Sequence, residues 1–179
     1  HPDPPAFRMT DTAAPDALIA GTLCLISCYA QHPAPAYAVR IAENLARLGT
    51  RTHLVAAIGS DGLGDQILAA TSSAGVHVEH VRRSARSTGT YTAVLDADGE
   101  LVVAVADMTA TDELAPEQVD AARDLIASAQ LVVLDGNLGT ATLGYALDLA
   151  GAAGTRVVLE PVSVPKAAAL APLVSPDRE

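Results

Sequence analysis

Three short polar clusters carry residue types able to hold a hydroxylated ligand: Gly59-Ser60-Asp61, Asp135-Gly136-Asn137 and Glu160-Pro161-Val162-Ser163. Each follows a run that reads as a short buried strand. A carboxylate or carboxamide at such a point can accept a hydrogen bond from a sugar hydroxyl. In an open parallel sheet, ligands bind beyond the carboxyl ends of the strands, so all three clusters stand where a ligand would be met. The same residue types also favour Asx turns and helix caps, so none of the three is diagnostic alone.

Other chemistries find no support. Gly59-x-x-Gly62-x-Gly64 lacks the G-x-G-x-x-G spacing of a dinucleotide fingerprint, and Lys166 is the only lysine, which excludes a Walker A loop. His1, His32, His53, His77 and His80 form no local ligand motif, so no metal ligands are assigned. No serine has a nucleophile-elbow context. Cys24 and Cys28 have the wrong number and spacing for a disulfide scaffold or a four-ligand zinc site and read as small apolar packing residues, as expected of a reducing compartment.

The elements that must position these clusters are legible from residue 40 onward. Ile41–Leu48 reads as a helix closed by Gly49, followed by a strand over Leu54–Ile58, a helix over Gly64–Ser73 and a strand over Val76–Val81. Thr90–Leu95 and Glu100–Val105 flank Asp96-Ala97-Asp98-Gly99 as a β-hairpin. Alternation then resumes: helix Pro116–Ala127, strand Leu131–Leu134, helix Thr140–Ala153, strand Arg156–Leu159 and a short helix over Lys166–Leu170. Successive βα units imply parallel strands joined by right-handed crossovers. Before residue 40, prolines at 2, 4, 5, 15, 33 and 35 interrupt every candidate element, and residues 1–39 read as a poorly specified, altered segment.

Composition bounds the function. The 179 residues make one ordinary domain's worth of chain, half of them apolar, and the charged fraction of 18% lies below the roughly 25% of average domains, against disorder. Eleven basic against 21 acidic residues give a net charge of −10, and the one basic cluster, Arg82, Arg83 and Arg86, is too small a footprint for nucleic acid. The apolar stretch 17–30 is shorter than the roughly 20 residues of a membrane-spanning helix. Asp3, Asp11 and Asp16 before it, against Arg8 alone, are the opposite of a signal peptide's positive flank. The expectation is a cytoplasmic protein with no nucleic-acid or membrane partner.

From Ile41 the chain looks familiar. Ile41-Ala42-Glu43-Asn44-Leu45-Ala46-Arg47-Leu48-Gly49, Ile58-Gly59-Ser60-Asp61-Gly62-x-Gly64, Ala74-Gly75-Val76 and the hairpin with Asp98-Gly99-Glu100 resemble the ribokinase-like (PfkB) family of sugar and nucleoside kinases. Ser87-Thr88-Gly89-Thr90-Tyr91, Ala104-Val105-Ala106-Asp107, Leu114-Ala115-Pro116, Asp135-Gly136-Asn137-Leu138 and Pro161-Val162-Ser163-Val164-Pro165-Lys166-Ala167 look most like its pseudouridine kinase branch. The resemblance spans about residues 40–179. It implies a doubly wound α/β parallel sheet, here incomplete, with a small β-hairpin lid at about 88–107 that excludes water from phosphoryl transfer. It also implies ATP and Mg2+ as cofactors and a sugar or nucleoside substrate, with the 5′-hydroxyl of pseudouridine as acceptor. By the same carry-over, Asn137 falls at a sugar-contacting position, with Asp135 beside it. Thr88 and Thr90 fall where the lid meets the substrate, and Asp107 at the lid exit. Glu160 and Asp177 fall on the nucleotide side, and a homodimer would form through the lid.

Two departures qualify the resemblance. The family's Gly-Gly-x-x-x-Asn leading into the first helix corresponds here to Pro35, Ala36 and Arg40, and the first family strand with its substrate-binding aspartate is not recognisable. Ser175-Pro176-Asp177-Arg178-Glu179 resembles a degraded Thr-Pro-Asn-x-x-Glu motif, and no Gly-Ala-Gly-Asp anion hole with its catalytic aspartate occurs in the sequence. Such a chain is expected to be truncated and inactive alone. The alternative is a non-catalytic sugar-binding or vestigial remnant; a Rossmann-type dinucleotide protein is disfavoured.

Overall fold

The computed structural model describes residues 17–20, 24–28, 34–35 and 37–174. Two sheets organise them. Five parallel strands form the main sheet: β1 (Ala17–Ala20), β4 (Thr52–Gly59), β5 (His77–Ser84), β8 (Leu131–Asp135) and β9 (Arg156–Glu160), in the order β5-β4-β1-β8-β9. The second sheet has the order β3-β2-β6-β7, from β2 (Cys24–Cys28), β3 (Ala34–Pro35), β6 (Gly89–Leu95) and β7 (Leu101–Asp107).

Strand alternation sends side chains to two separate cores, which makes the fold doubly wound. Leu18, Val55, Ala57, Val132 and Leu134 point to one face, where they meet Val119 of α4 (Pro116–Asp120), Ile126 of α5 (Arg123–Ser128), Leu143 and Ala146 of α6 (Thr140–Ala153) and Leu170 of α7 (Val164–Leu170). Ile19, Leu54, Ala56, Ile58 and Val133 point to the other, against Val39 and Ala42 of α1 (Tyr37–Arg47) and Ile67 of α2 (Gly62–Ser73). Leu18, Ile19, Leu54, Ile58, Leu134 and Leu143 are fully buried. At about 1.5–3 kcal/mol each, such side chains supply much of the driving force for folding.

The alternating α/β reading holds, and the hairpin lies where its Asp-Gly turn put it. Asp96 Oδ1 accepts from the backbone N–H groups of Asp98 (3.0 Å) and Glu100 (2.9 Å), while Gly99 takes φ +85°, which a side chain would disfavour. Several elements differ from the sequence reading, among them α1, which starts at Tyr37 and not at Ile41. Ala17–Ala20 is a regular strand, central in the main sheet, and Cys24–Cys28 is a strand of the second sheet, both inside the segment read as poorly specified. A four-residue buried parallel strand has no periodicity to read, and flanking prolines do not prevent it. The expected helix over 116–127 is two short helices, α4 and α5, parted at Ala121-Ala122. A short helix, α3 (Thr109–Asp112), follows the hairpin. Among the described residues, no helix is long and apolar enough to cross a membrane.

Candidate functional site

The main sheet changes direction at β1. From there the chain winds to β4 and β5 on one side, and it later returns to β8 and β9 on the other. This switch point is where an open α/β sheet forms its ligand crevice, between loops that diverge from the carboxyl ends of adjacent strands. Two of the polar clusters flank it, one after β4 and one after β8.

After β4, Asp61 is the N-cap of α2 and accepts from the Gly64 N–H at 2.8 Å. The same carboxylate accepts from the Thr88 N–H at 2.7 Å and from the Thr88 hydroxyl at 2.6 Å. These donors, the Thr88 hydroxyl foremost, lower the Asp61 pKa to about 2. Glycine is required beneath it: a Cβ on Gly59 would stand 2.3 Å from the Thr88 nitrogen, and one on Gly64 2.3 Å from the Gly59 oxygen. The end of β4, the start of α2 and the 86–88 segment are thereby locked together, and the buried Thr88 delivers the chain into β6 of the second sheet.

After β8, the buried Asp135 accepts from the Asn137 N–H at 2.8 Å and from the Asn137 side-chain amide at 2.9 Å. The Lys166 ammonium donates to Asn137 Oδ1, so the carboxamide is held at both ends. Gly136 allows this approach, because a Cβ there would lie 2.9 Å from the Glu160 carbonyl oxygen and 3.0 Å from Leu170 Cδ1. Its N–H donates to that carbonyl at 2.7 Å, joining the β8 and β9 turns. Glu160 Oε1 accepts from the Val162 N–H at 2.9 Å, where Val162 adopts φ +66°. Ser163 caps α7 and so carries Lys166 to Asn137.

The remaining expected site residues divide. Thr90 and Asp107 are register partners across β6 and β7, at the base of the hairpin. Asp107 accepts from the Thr109 N–H (3.1 Å) and hydroxyl (2.8 Å), in that order of importance, which keep its carboxyl below the usual range in an exposed turn. Asp177, Ala36 and the 175–179 motif lie outside the described residues, and Arg40 is exposed on α1. The structure thus groups Asp135, Asn137 and Glu160 around one turn pair, and Thr88 with Asp61 at another. Sequence reasoning missed Lys166 as a site builder, although its place three residues after the capping Ser163 was legible; the partnership of Asp61 with Thr88 had no local signal.

A sequence profile of the pfkB family carbohydrate kinases matches residues 40–176. The chain belongs to the pfkB family. It is 39% identical over 111 residues to an Escherichia coli (strain K12) protein described as the uncharacterized sugar kinase YeiI, covering 62% of this chain and 31% of that protein. It is 35% identical over 124 residues to the pseudouridine kinase of the same organism, covering 69% and 39% respectively. The chain therefore spans between about a third and two-fifths of the length of these relatives. Among solved structures, the fold matches Arabidopsis thaliana ribokinase complexed with ribose and ATP, with a TM-score of 0.70 and 20% identity over 82% of this chain and 53% of that one. That match supports the ribokinase-like fold. The sequence matches place the chain among proteins named as sugar and pseudouridine kinases.

Proposed function

We propose that this chain carries the acceptor side of a sugar or nucleoside kinase site, presenting a ribosyl hydroxyl, the 5′-hydroxyl of pseudouridine foremost, to the γ-phosphate of ATP. The observation that carries the reading is the linked set Asp135, Asn137 and Lys166 beside the switch point of a pfkB-family sheet. Asn137 offers a carboxamide able to bind sugar hydroxyls. Asp135 fixes its orientation from one end, and Lys166 fixes it from the other. An ammonium group in this half-buried position also suits the anionic end of a nucleotide, with Glu160 on the neighbouring turn. ATP when bound supplies the transferable phosphoryl group, and Mg2+ its charge screening. The lid hairpin, rooted through Thr88 and Thr90, excludes water from the bound hydroxyl.

Positioning and electrostatic stabilisation carry most of phosphoryl transfer, but the acceptor hydroxyl must also lose its proton. The sequence contains no Gly-Ala-Gly-Asp motif, so this chain alone is expected to bind acceptor without turnover. A second reading is a non-catalytic sugar-binding protein, in which the Asn137 carboxamide held by Asp135 and Lys166 would serve binding alone. A homodimer through the lid accords with the exposed apolar side chains of Leu101, Val103 and Val105 on β7.

The test combines calorimetric titration of pseudouridine into the chain with mass-spectrometric detection of its 5′-phosphate in the presence of ATP and Mg2+. Saturable binding that weakens about tenfold, roughly 1.4 kcal/mol, in Asn137→Ala supports the acceptor site. Equal binding by the wild type and Asn137→Ala refutes it. Binding without phosphate transfer, even with the catalytic half of a relative supplied, favours the non-catalytic reading.

A further inference from the structure

Outside the switch-point site, one cluster of ligating side chains stands apart. His53, the second residue of β4, pairs directly with His77, the first residue of the edge strand β5. Their rings stack with centroids 4.4 Å apart and planes inclined by 12°. Glu79 lies beside them, its Oε1 3.4 Å from His77 Nδ1. One donor atom from each of the three falls within 4.8 Å of the others. Between His53 and Val55 on β4 the pairing advances from His77 to His80 on β5, so the edge strand carries an extra residue here. Val78 packs into the core on the α1/α2 side, away from the histidine pair.

The geometry points to a divalent transition-metal site formed by His53, His77 and Glu79, of the class that takes Zn2+, with the imidazoles turning about χ2 out of their stacked arrangement so that their in-plane lone pairs converge on the ion. Two imidazoles and one carboxylate are the donor set that Zn2+, Ni2+ and Cu2+ prefer over Mg2+ or Ca2+, and three protein ligands leave a coordination position for water. Half-exposed His77 and exposed Glu79 leave an entry path from solvent. The acidic chain, with net charge −10, adds a favourable field against the local repulsion of Arg51 and His80. The site lies at the amino-terminal end of β4, while Asp61 follows its carboxyl end. Six residue-to-residue steps of strand separate His53 from Gly59, about 20 Å at ~3.3 Å per residue, so a metal here takes no part in phosphoryl transfer. Its consequence is mechanical: it ties the bulged edge strand to β4.

Titration of the full chain with Zn2+, followed by calorimetry and by thermal denaturation, tests this. The expected result is one site per chain with a raised melting temperature, and no comparable effect of Mg2+. His77→Ala and Glu79→Gln, at solvent-accessible positions that the fold tolerates, should each weaken Zn2+ binding about tenfold or more. The Cys24→Ser/Cys28→Ser double variant should bind as the wild type does, and Co2+ should give ligand-field bands without thiolate charge transfer. Binding that survives His77→Ala unchanged, disappears with the cysteines, or is absent from the wild type overturns the proposal.

Discussion

Replacing Asp61 by alanine removes three hydrogen bonds at once: the cap on the Gly64 N–H and both bonds to Thr88. The lost cap costs about 1 kcal/mol. Thr88 is buried, so its N–H and hydroxyl then stand without their acceptor, at a further cost of about 1–3 kcal/mol. Asp61→Ala should therefore destabilise the chain by about 2–4 kcal/mol, read from urea denaturation midpoints at an unchanged m value. Asp61→Asn keeps an acceptor for the cap but presents an amide to the Thr88 donors, and should lose about half as much. Combined with Thr88→Val, the two losses should fall short of additive, because the partners share bonds. The acid limb adds a second readout. A carboxyl lowered from 3.8 to about 2 binds fewer protons folded than unfolded. Its contribution is complete above pH 3.8 and is lost as the pH falls through 2. The wild type should weaken across that window, and Asp61→Asn should follow a flatter curve. A loss below about 0.5 kcal/mol for Asp61→Ala, or an acid limb in Asp61→Asn as steep as the wild type's, would refute this account of the joint.

Gly59→Ala forces a Cβ to within 2.3 Å of backbone and should cost about 3 kcal/mol or more, whereas Gly62→Ala, with nothing within 4 Å, should be neutral or stabilising by about 0.5 kcal/mol; paired denaturation curves distinguish them. Leu143→Ala opens a cavity in the fully buried α6 face and should lose about 2–5 kcal/mol by the same measurement. Gly154 closes α6 at φ +69°, so Gly154→Ala should cost about 1 kcal/mol and lower the melting temperature without altering ligand titrations.

What could be read from the sequence was what local spacing encodes. Helix Thr140–Ala153 has its sequence-derived bounds, β8 and β9 each extend the apolar run by one residue, and β4 extends it by three. The hairpin was legible because Asp96 and Gly99 impose its turn through bonds within a few residues. What escaped was non-local. Lys166 reaches Asn137 and Thr88 reaches Asp61 across most of a βα unit, contacts that exist only once strand order is known. The strand Ala17–Ala20 escaped for a different reason: both its faces are buried, so it shows neither the alternation of a half-exposed strand nor the length of a helix. The break at Ala121-Ala122 has no residue signal, since alanine is the best helix former. The cross-strand meeting of His53 with His77 depends on register, which the histidine spacing does not contain.

The place of β1 also dictates an order of events. Ala17 pairs with Thr52 on one edge and with Leu131 on the other, so the earliest described strand to be synthesised waits for one of the latest. During synthesis β1, β4 and β5 can associate, but the edge of β1 that awaits β8 stays open until residues 131–135 have left the ribosome. Such long-range parallel pairing makes folding slow and leaves an adhesive intermediate. Substitutions that weaken β8 should consequently lower the yield of soluble chain more than they lower the stability of the molecules that do fold.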